Sequence, residues 1–133
     1  MIHVWNCDKR LCILKYLAGQ GFAASNVHTG QGSGHVALLL GDVDGDRRKD
    51  VIQLWNNNGR LSIIYYTGAS LFHSAGFANT EQGTGALQYF MGDVDGDKRD
   101  DLIHLWNCNN RLCIMYYTVR RSIIQIFDLH KIV

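Results

Sequence analysis

The chain has 133 residues, of which 47% are hydrophobic, so it is long enough for one domain with a workable core. Its formal net charge of +1 excludes the basic surface expected of a protein that binds nucleic acid or an anionic membrane. No apolar run approaches the roughly 18 residues of a membrane-spanning helix, and the N-terminus lacks the basic and apolar regions of a signal peptide. We therefore expect either a cytosolic protein or one whose export signal lies outside this sequence.

The sequence repeats with a period near 50 residues, beginning at its first strand-like segment. The segments 2–13 (IHVWNCDKRLCI), 52–63 (IQLWNNNGRLSI) and 103–114 (IHLWNCNNRLCI) align without gaps, at offsets of 50 and 51 residues. Several short strands within a repeat of this length favour propeller blades over helical hairpins. We therefore predict an all-β fold made of four-stranded antiparallel blades of a β-propeller.

The middle repeat shows the predicted strands of one blade in chain order. The first strand, 35–42 (HVALLLGD), is nearly all apolar and is expected to be buried. The second and third strands, 51–56 and 60–67, flank Asn58-Gly59, a dipeptide typical of a type I′ hairpin turn. Residues 71–80 (LFHSAGFANT) are expected to form a weaker, outer fourth strand.

The repeats divide the chain into one partial blade and two further blades. Residues 1–34 lack the first strand and its loop, residues 35–85 hold a complete blade, and residues 86–133 hold a third blade with a divergent tail. Closed propellers typically have about four to eight blades. Fewer than three blades would leave apolar faces uncovered. We therefore expect a fragment with missing blades, or a protomer that completes its ring as a homo-oligomer.

Two carboxylate-rich segments, GDVDGDRRKD (41–50) and GDVDGDKRDD (92–101), each precede the second strand of a blade. Numbered from the first aspartate, the carboxylates occupy positions 1, 3, 5 and 9 in both segments, and they account for eight of the 12 acidic residues. Alternate side chains of a curled loop, with a backbone carbonyl at position 7, offer the hard oxygen ligands that Ca²⁺ prefers. The predicted ligands are Asp42, Asp44, Asp46, the Arg48 carbonyl and Asp50, and in the second loop Asp93, Asp95, Asp97, the Arg99 carbonyl and Asp101.

Two other interpretations of these loops compete with Ca²⁺. A different cation fits less well, because Mg²⁺ demands stricter octahedral geometry and the loops lack the Cys and His ligands typical of Zn²⁺. A metal-free charged turn would need its own basic residues to neutralise carboxylates, which repel by about 4 kcal/mol at about 4 Å in an effective dielectric near 20. The basic residues available for this are Arg47, Arg48, Lys49, Lys98 and Arg99.

The segment GDVDGDRRKDVIQLWNNNGRLSIIYYTG resembles the FG-GAP/VCBS repeats of integrin-alpha-like β-propellers, and the likeness extends over residues 1–118. The resemblance implies that the aspartates of both loops bind Ca²⁺, and that the protein is extracellular or at the cell surface. Arg47 and Lys98 stand at position 6, where the family usually has glycine. If that position requires a positive φ, each side chain costs roughly 1 kcal/mol. Dockerins also use Asp-rich calcium loops, but their loops lead into helices and repeat at about half this period.

Two cysteine pairs occupy equivalent hairpin positions in the first and third repeats. Both positions change together in the middle repeat, which suggests that the two thiols of one repeat are in contact. The pairs are Cys7 with Cys12 and Cys108 with Cys113, and their counterparts are Asn57 and Ser62. Disulfides within the hairpins and small buried side chains both remain open. CxxC spacing is absent, so zinc and redox motifs have no support.

Aromatic and polar strand positions also recur. Tryptophan ends one strand of each repeat and is expected to pack between blades; the three residues are Trp5, Trp55 and Trp106. His3 and His104 correspond to Gln53, which indicates a polar strand position and not a catalytic base. No nucleophile motif, phosphate loop or glycosidase-like carboxylate pair is present, so we expect no enzymatic activity.

The function predicted from these features is a calcium-binding β-propeller segment that serves as a binding or adhesion module. The metal, one Ca²⁺ in each loop, has a structural role, and the ligand is an unknown protein or glycan. Two alternatives stay open: a carbohydrate-binding lectin propeller, and the non-catalytic propeller part of a larger exported enzyme or toxin.

Overall fold

The computed structural model describes residues 2–17, 23–72, 75–120 and 123–129, which form three antiparallel sheets with no helix among them. The sheets have three, four and four strands, and none closes on itself. The predicted all-β class of incomplete propeller blades is therefore confirmed. Met1, His73 and His130 lie outside the described residues.

Blade 1 is the three-stranded sheet, in the order β1-β2-β3. Its strands are β1 (Ile2–Cys7), β2 (Arg10–Leu17) and β3 (Ala23–Gly32). The turn between β1 and β2 is of type I′, because Asp8 and Lys9 have φ values of 53° and 64°. The Asn6 side chain accepts a hydrogen bond from the Lys9 N–H at 2.8 Å, which stabilises the turn. Strand β1 pairs only with β2, so it is an edge strand in the described structure.

Blade 2 is a four-stranded sheet in the order β4-β5-β6-β7. Its strands are β4 (Ala37–Gly41), β5 (Asp50–Asn57), β6 (Arg60–Tyr66) and β7 (Ala75–Gly83). The predicted type I′ turn is confirmed by the positive φ values of Asn58 (52°) and Gly59 (84°). The outer strand begins later than predicted, because Leu71 and Phe72 have positive φ values and lie in a turn. The prediction that the first strand is buried is wrong at Leu40, which is 49% exposed on an edge strand.

Blade 3 is a four-stranded sheet in the order β11-β10-β9-β8. Its strands are β8 (Gln88–Gly92), β9 (Asp101–Cys108), β10 (Arg111–Arg120) and β11 (Ile123–Leu129). The divergent tail supplies β11, which pairs with β10 from Ile114 opposite Leu129 to Arg120 opposite Ile123. Antiparallel pairing therefore continues into the tail although its sequence no longer matches the repeat.

The core lies between neighbouring blades, and blade 2 is covered on both faces. One cluster packs blade 1 against blade 2; its buried members are Leu11, Ile13, Val27, Val51, Ile64, Tyr66 and Phe72. The other cluster packs blade 2 against blade 3; its buried members are Val43, Ile52, Leu54, Leu61, Ile63, Tyr65, Tyr89, Leu102, Met115 and Tyr117. Successive residues of β5 alternate between the two clusters, as side chains of a strand must. This double burial explains why the middle repeat is so apolar.

The polar strand position predicted from Gln53 and His104 is buried and fixes the connection between blades. The Gln53 amide donates to the Gly34 carbonyl at 3.2 Å, and His104 Nε2 lies 2.9 Å from the Gly85 carbonyl. Burial lowers the pKa of His104. These contacts give the position a structural role in joining successive blades.

The tryptophans differ in burial from blade to blade. Trp55 and Trp106 pack against the two inter-blade clusters, as predicted. Trp5 is 39% exposed, so the prediction is wrong for this residue. The physical reason is its direction, because Ile2 and Val4 of the same strand face blade 2 and Trp5 therefore faces away from it.

Both hairpin cysteine pairs form disulfides, Cys7 with Cys12 and Cys108 with Cys113, each with 6.0 Å between the Cα atoms. Cys7 lies opposite Arg10 and Cys12 lies opposite Trp5, so the pair is diagonal on one face of the hairpin. This is the arrangement that a two-residue turn predicts.

Candidate metal centre

Two loops carry the carboxylates, and each joins the first two strands of a blade. Loop 1 (residues 42–49) connects β4 to β5, and loop 2 (residues 93–100) connects β8 to β9. The aspartate that begins the following strand, Asp50 or Asp101, is counted as position 9 of its loop. The backbone of loop 1 curls around its first aspartate. Asp42 accepts hydrogen bonds from the N–H groups of Gly45 at 2.8 Å, Asp46 at 3.1 Å and Arg47 at 2.7 Å.

Loop 2 repeats this curl. Asp93 accepts from the N–H groups of Gly96 at 2.8 Å, Asp97 at 3.1 Å and Lys98 at 2.9 Å. These backbone bonds, that of Lys98 first, lower the pKa of Asp93. Two loops 51 residues apart therefore adopt one hydrogen-bond pattern around one spacing of aspartates.

The structure brings positions 1, 3 and 9 together in each loop. One oxygen from each of the three carboxylates lies within 4.8 Å of the other two; the clusters are Asp42, Asp44 and Asp50, and Asp93, Asp95 and Asp101. Position 5 lies outside these clusters. Its carboxylates, Asp46 and Asp97, accept from the N–H groups of Arg48 and Arg99, both at 2.9 Å. These contacts bring the predicted position-7 residues next to the position-5 carboxylates.

Position 6 has a positive φ in both loops, 69° at Arg47 and 70° at Lys98. This is the left-handed region that glycine occupies without steric cost. Position 6 therefore does require a positive φ, which was the condition stated from the sequence. Each of these side chains lowers the stability of the fold by roughly 1 kcal/mol relative to glycine.

Asp50, at position 9 of loop 1, is completely buried and fully hydrogen-bonded. Its Oδ2 accepts from the Val43 N–H at 2.8 Å, and its Oδ1 accepts from the Gly68 N–H at 2.8 Å. Gly68 approaches so closely that a Cβ there would collide with the Lys49 carbonyl oxygen. Burial raises the pKa of Asp50. Burial, with help from the neighbouring carboxylates, also raises the pKa of Asp44 to about 6.

Asp101, at position 9 of loop 2, is 1% exposed but accepts one backbone hydrogen bond where Asp50 accepts two. Its Oδ2 accepts from the Val94 N–H at 2.9 Å. Its Oδ1 is buried and has no hydrogen-bond partner among the described residues. Burial raises the pKa of Asp101 to about 6, and the nearby charges of the other loop carboxylates add to the effect.

A contact between the loops was missed in the sequence. Asp100, at position 8 of loop 2, donates its N–H to the Asp42 carbonyl at 2.6 Å and accepts from the Asp42 N–H at 2.7 Å through Oδ2. Lys49, at position 8 of loop 1, places Nζ 3.5 Å from the same carboxylate oxygen. The opposite charges of these two equivalent positions were the feature of the sequence that could have indicated this contact.

Two basic residues of loop 1 contact groups outside its carboxylate cluster. Lys49 pairs with Asp100, and the Arg48 guanidinium lies 3.5 Å from the Ala69 carbonyl. Neither contact neutralises a carboxylate at position 1, 3 or 9. The interpretation as a self-neutralised charged turn therefore gains no support from these two side chains.

A model of the FG-GAP-like repeat family matches residues 42–104, a segment that includes both carboxylate loops and the strands between them. No curated protein and no solved structure matches the chain. None of the described residues forms a helix that is long and apolar enough to cross a membrane. The motif, the strands that flank it and the family match agree, and the chain therefore contains an FG-GAP-like repeat at residues 42–104.

Proposed function

We propose that loop 1 and loop 2 each bind one Ca²⁺, and that the metal stabilises a propeller segment that works as a binding or adhesion module. The observation that carries this proposal is the buried Oδ1 of Asp101. This oxygen has no hydrogen-bond donor among the described residues, and its carboxyl group belongs to a cluster with Asp93 and Asp95. A buried carboxylate oxygen without a partner costs free energy, which a bound cation offsets.

The donor set suits a hard cation. Carboxylates at positions 1, 3 and 9 already converge, and those at position 5 with the position-7 carbonyls complete the set; the proposed ligands are Asp42, Asp44, Asp46, Arg48 and Asp50, and Asp93, Asp95, Asp97, Arg99 and Asp101. A bound Ca²⁺ supplies the positive charge that offsets repulsion within each cluster. With a Kd of about 10⁻⁴–10⁻³ M, about 5 mM Ca²⁺ stabilises the fold by about 1–2 kcal/mol per loop.

Calorimetric titration of the chelator-treated chain tests the proposal. We expect two equivalents of Ca²⁺, of which Asp44→Asn removes one and Asp95→Asn removes the other. Asp8→Asn is the matched control, because it neutralises an exposed aspartate in a hairpin turn where the other repeats have asparagine. Absence of both uptake and a rise in Tm at millimolar Ca²⁺ would show that the loops are not calcium sites.

Further blades are proposed to cover the outer faces of this segment, supplied by a longer protein or by a second copy. Leu61, on the face of blade 2 that meets blade 3, is 0% exposed, whereas Leu112, its equivalent on blade 3, is 43% exposed. Analytical ultracentrifugation distinguishes the two sources. A second copy predicts a multiple of 15.0 kDa, and a monomer of that mass with a cooperative melt contradicts self-assembly.

The proposed role is non-catalytic, and the proposed location is extracellular or at the cell surface. Millimolar Ca²⁺ and the two hairpin disulfides both suit that environment. Thiol labelling of the protein taken from its source without reductant tests the location. We expect no labelled cysteine, and complete labelling would place the protein in a reducing compartment.

Carbohydrate binding is a second candidate function, favoured by a cleft of about 290 Å³. Trp106 and Gln82 line it, and an aromatic face beside a polar group suits a sugar. Tyr65 lies outside this cleft, because it is buried between blades 2 and 3. A broad glycan array tests this function with Gln82→Ala as the variant. Silence across the array would count against a lectin.

A further inference from the structure

Three side chains with soft-metal ligand atoms lie together on one face of blade 1. Cys7 and Cys12 come from β1 and β2, and His28 of β3 is directly opposite Cys12. His28 Nδ1 lies 3.2 Å from Cys12 Sγ and 3.7 Å from Cys7 Sγ. Cys12 is fully buried but His28 is exposed, so an ion in solution can approach the cluster from the histidine side.

The same three positions of blade 2 hold a different but equally matched set. The Ser62 hydroxyl donates to Asn79 Oδ1 at 2.6 Å, and the Asn57 amide donates to the same oxygen at 3.2 Å. The geometry of the three strands is therefore conserved between the blades while all three side chains change together.

The third repeat has the cysteine-histidine set again in its sequence. His130 stands at the same spacing from Cys108 and Cys113 as Asn79 does from Asn57 and Ser62. His130 lies outside the described residues, so this observation concerns the sequence alone. Across three repeats, histidine accompanies the cysteine pair and asparagine accompanies the pair without cysteine.

A disulfide by itself does not require a histidine, because two sulfur atoms complete the bond. A cation held by two thiolates and one imidazole requires all three residues. In tetrahedral geometry, Zn–S bonds of about 2.3 Å and a Zn–N bond of about 2.0–2.1 Å put the nitrogen about 3.5 Å from each sulfur. The observed distances of 3.2 and 3.7 Å lie on either side of that value, although the two sulfurs are bonded to each other in the disulfide. Reduction breaks that bond and lets the sulfurs separate toward the distance of about 3.8 Å that the same tetrahedral geometry requires.

We propose that the reduced thiols of Cys7 and Cys12, with Nδ1 of His28, form a site for a thiophilic divalent cation such as Zn²⁺, and that the disulfide closes this site. Three protein ligands leave one tetrahedral position for water. The site is distinct from the carboxylate loops, whose oxygen ligands select hard cations.

The redox step balances with a phosphine reductant. The phosphine donates two electrons to the S–S bond and takes one oxygen from water, becoming a phosphine oxide. The two protons of that water convert the sulfurs to thiols. Binding of the cation then releases both thiol protons. Small thiols reach the same state by exchange, since two of them become one disulfide.

Co²⁺ is the probe, because thiolate coordination gives it a charge-transfer absorption band that aqueous Co²⁺ lacks. The full chain carries Cys108→Asn and Cys113→Ser, so that only the blade 1 pair responds. We expect the band after phosphine treatment, no band in the oxidised chain, and loss of the band when Zn²⁺ displaces Co²⁺. His28→Asn, the residue that blade 2 uses, should weaken Co²⁺ binding at least about ten-fold.

Three results would overturn the proposal. One is the absence of a charge-transfer band in the reduced chain. Another is equal Co²⁺ affinity with and without His28, and the third is a pair that the phosphine does not reduce in the folded chain. If the reduced chain loses its circular dichroism signal, Zn²⁺ should restore it, and failure to do so also counts against the site. The triple variant Cys7→Asn, Cys12→Ser and His28→Asn, which copies blade 2, should fold and bind no Co²⁺.

Discussion

Loop 1 and loop 2 have the same aspartate spacing and the same backbone curl, but their position-9 carboxylates are supported differently. Asp50 is held by two backbone N–H groups, from Val43 and Gly68. Asp101 is held by one, from Val94, and its second oxygen has no partner among the described residues. The aspartate spacing alone therefore does not determine how many hydrogen bonds the position-9 carboxylate accepts in the absence of metal.

The hydrogen bond that Asp50 has and Asp101 lacks is donated by a distant part of the chain, at Gly68. The repeat counterpart of Gly68 is Val119, which lies inside β10 and not in a turn that returns to the loop. In blade 2 the chain leaves β6 before Gly68 and packs it closely over Lys49. We infer that loop 1 is organised largely by the protein, and that loop 2 would gain more stability from the proposed cation.

The largest test of this difference is to truncate position 9 in the metal-free chain. Asp50→Ala leaves two buried N–H groups without an acceptor, so we expect a loss of about 2–4 kcal/mol in the free energy of unfolding. Asp101→Ala leaves one such group and also removes a carboxylate with an unpartnered oxygen, so we expect a loss of about 1 kcal/mol. Urea denaturation with a chelator present measures both.

The exposed position-5 residues are the matched controls for this experiment. Asp46→Ala and Asp97→Ala each remove one acceptor from a surface N–H, so both should cost little and cost the same. Equal losses for Asp50→Ala and Asp101→Ala would contradict the asymmetry between the loops.

The next test removes the contact between the loops. Asp100→Ala breaks the bond to the Asp42 N–H, and we expect a loss of about 1–2 kcal/mol in the free energy of unfolding. Lys49→Ala should cost less than about 0.5 kcal/mol, because its side chain is 62% exposed and solvent screens the ion pair. Asp100→Asn keeps an acceptor oxygen and should retain most of the stability. The contact is assigned wrongly if Lys49→Ala is the costlier change.

The features that the sequence predicted are those that depend on neighbouring residues. The period, the type I′ turns, the all-β class and the curl of the loops follow from spacing and turn chemistry within a few positions. The left-handed conformation of Arg47 was a condition and not a prediction; it accompanies the hydrogen bond that the Arg47 N–H donates to Asp42 within the same loop.

The features that the sequence did not predict depend on contacts between distant segments. Gly68 reaches Asp50, Asp100 reaches Asp42, and His28 reaches Cys12 across 16 residues. The exposure of Leu40 has the same origin, since an apolar strand looks alike whether or not another element covers it. In the sequence, these contacts are indicated only by residues that differ between equivalent positions of the three repeats.

Position 6 offers a test in which the two loops should behave alike. Arg47→Gly and Lys98→Gly each relieve a side chain held at positive φ, so we expect each to raise the free energy of unfolding by roughly 1 kcal/mol. Arg48→Gly and Arg99→Gly are the controls, because their φ values are not positive and glycine there should cost about 0.5–1 kcal/mol. Urea denaturation decides, and a loss for both position-6 variants would refute the strain.

The smallest expected effect is a dependence on pH. Lower pH should weaken calcium binding, whereas higher pH should lower the stability of the metal-free chain. Burial raises the pKa of Asp44 in loop 1 and of Asp101 in loop 2 to about 6. A cation must displace one proton from each loop below that pH. We therefore expect the calcium affinity of each loop to fall about four-fold between pH of about 7.5 and about 5.5.

In the metal-free chain the folded pKa of these carboxyls exceeds the unfolded value of about 4. Their contribution to stability is therefore complete below pH of about 4 and is lost as pH rises through about 6.

The calcium affinity of each loop is measured by calorimetric titration of two variants. Asp95→Asn reports loop 1 alone, and Asp44→Asn reports loop 2 alone. Affinities that do not change with pH would show that neither carboxyl is protonated in this range, whereas a change in one variant only would assign the titration to a single loop.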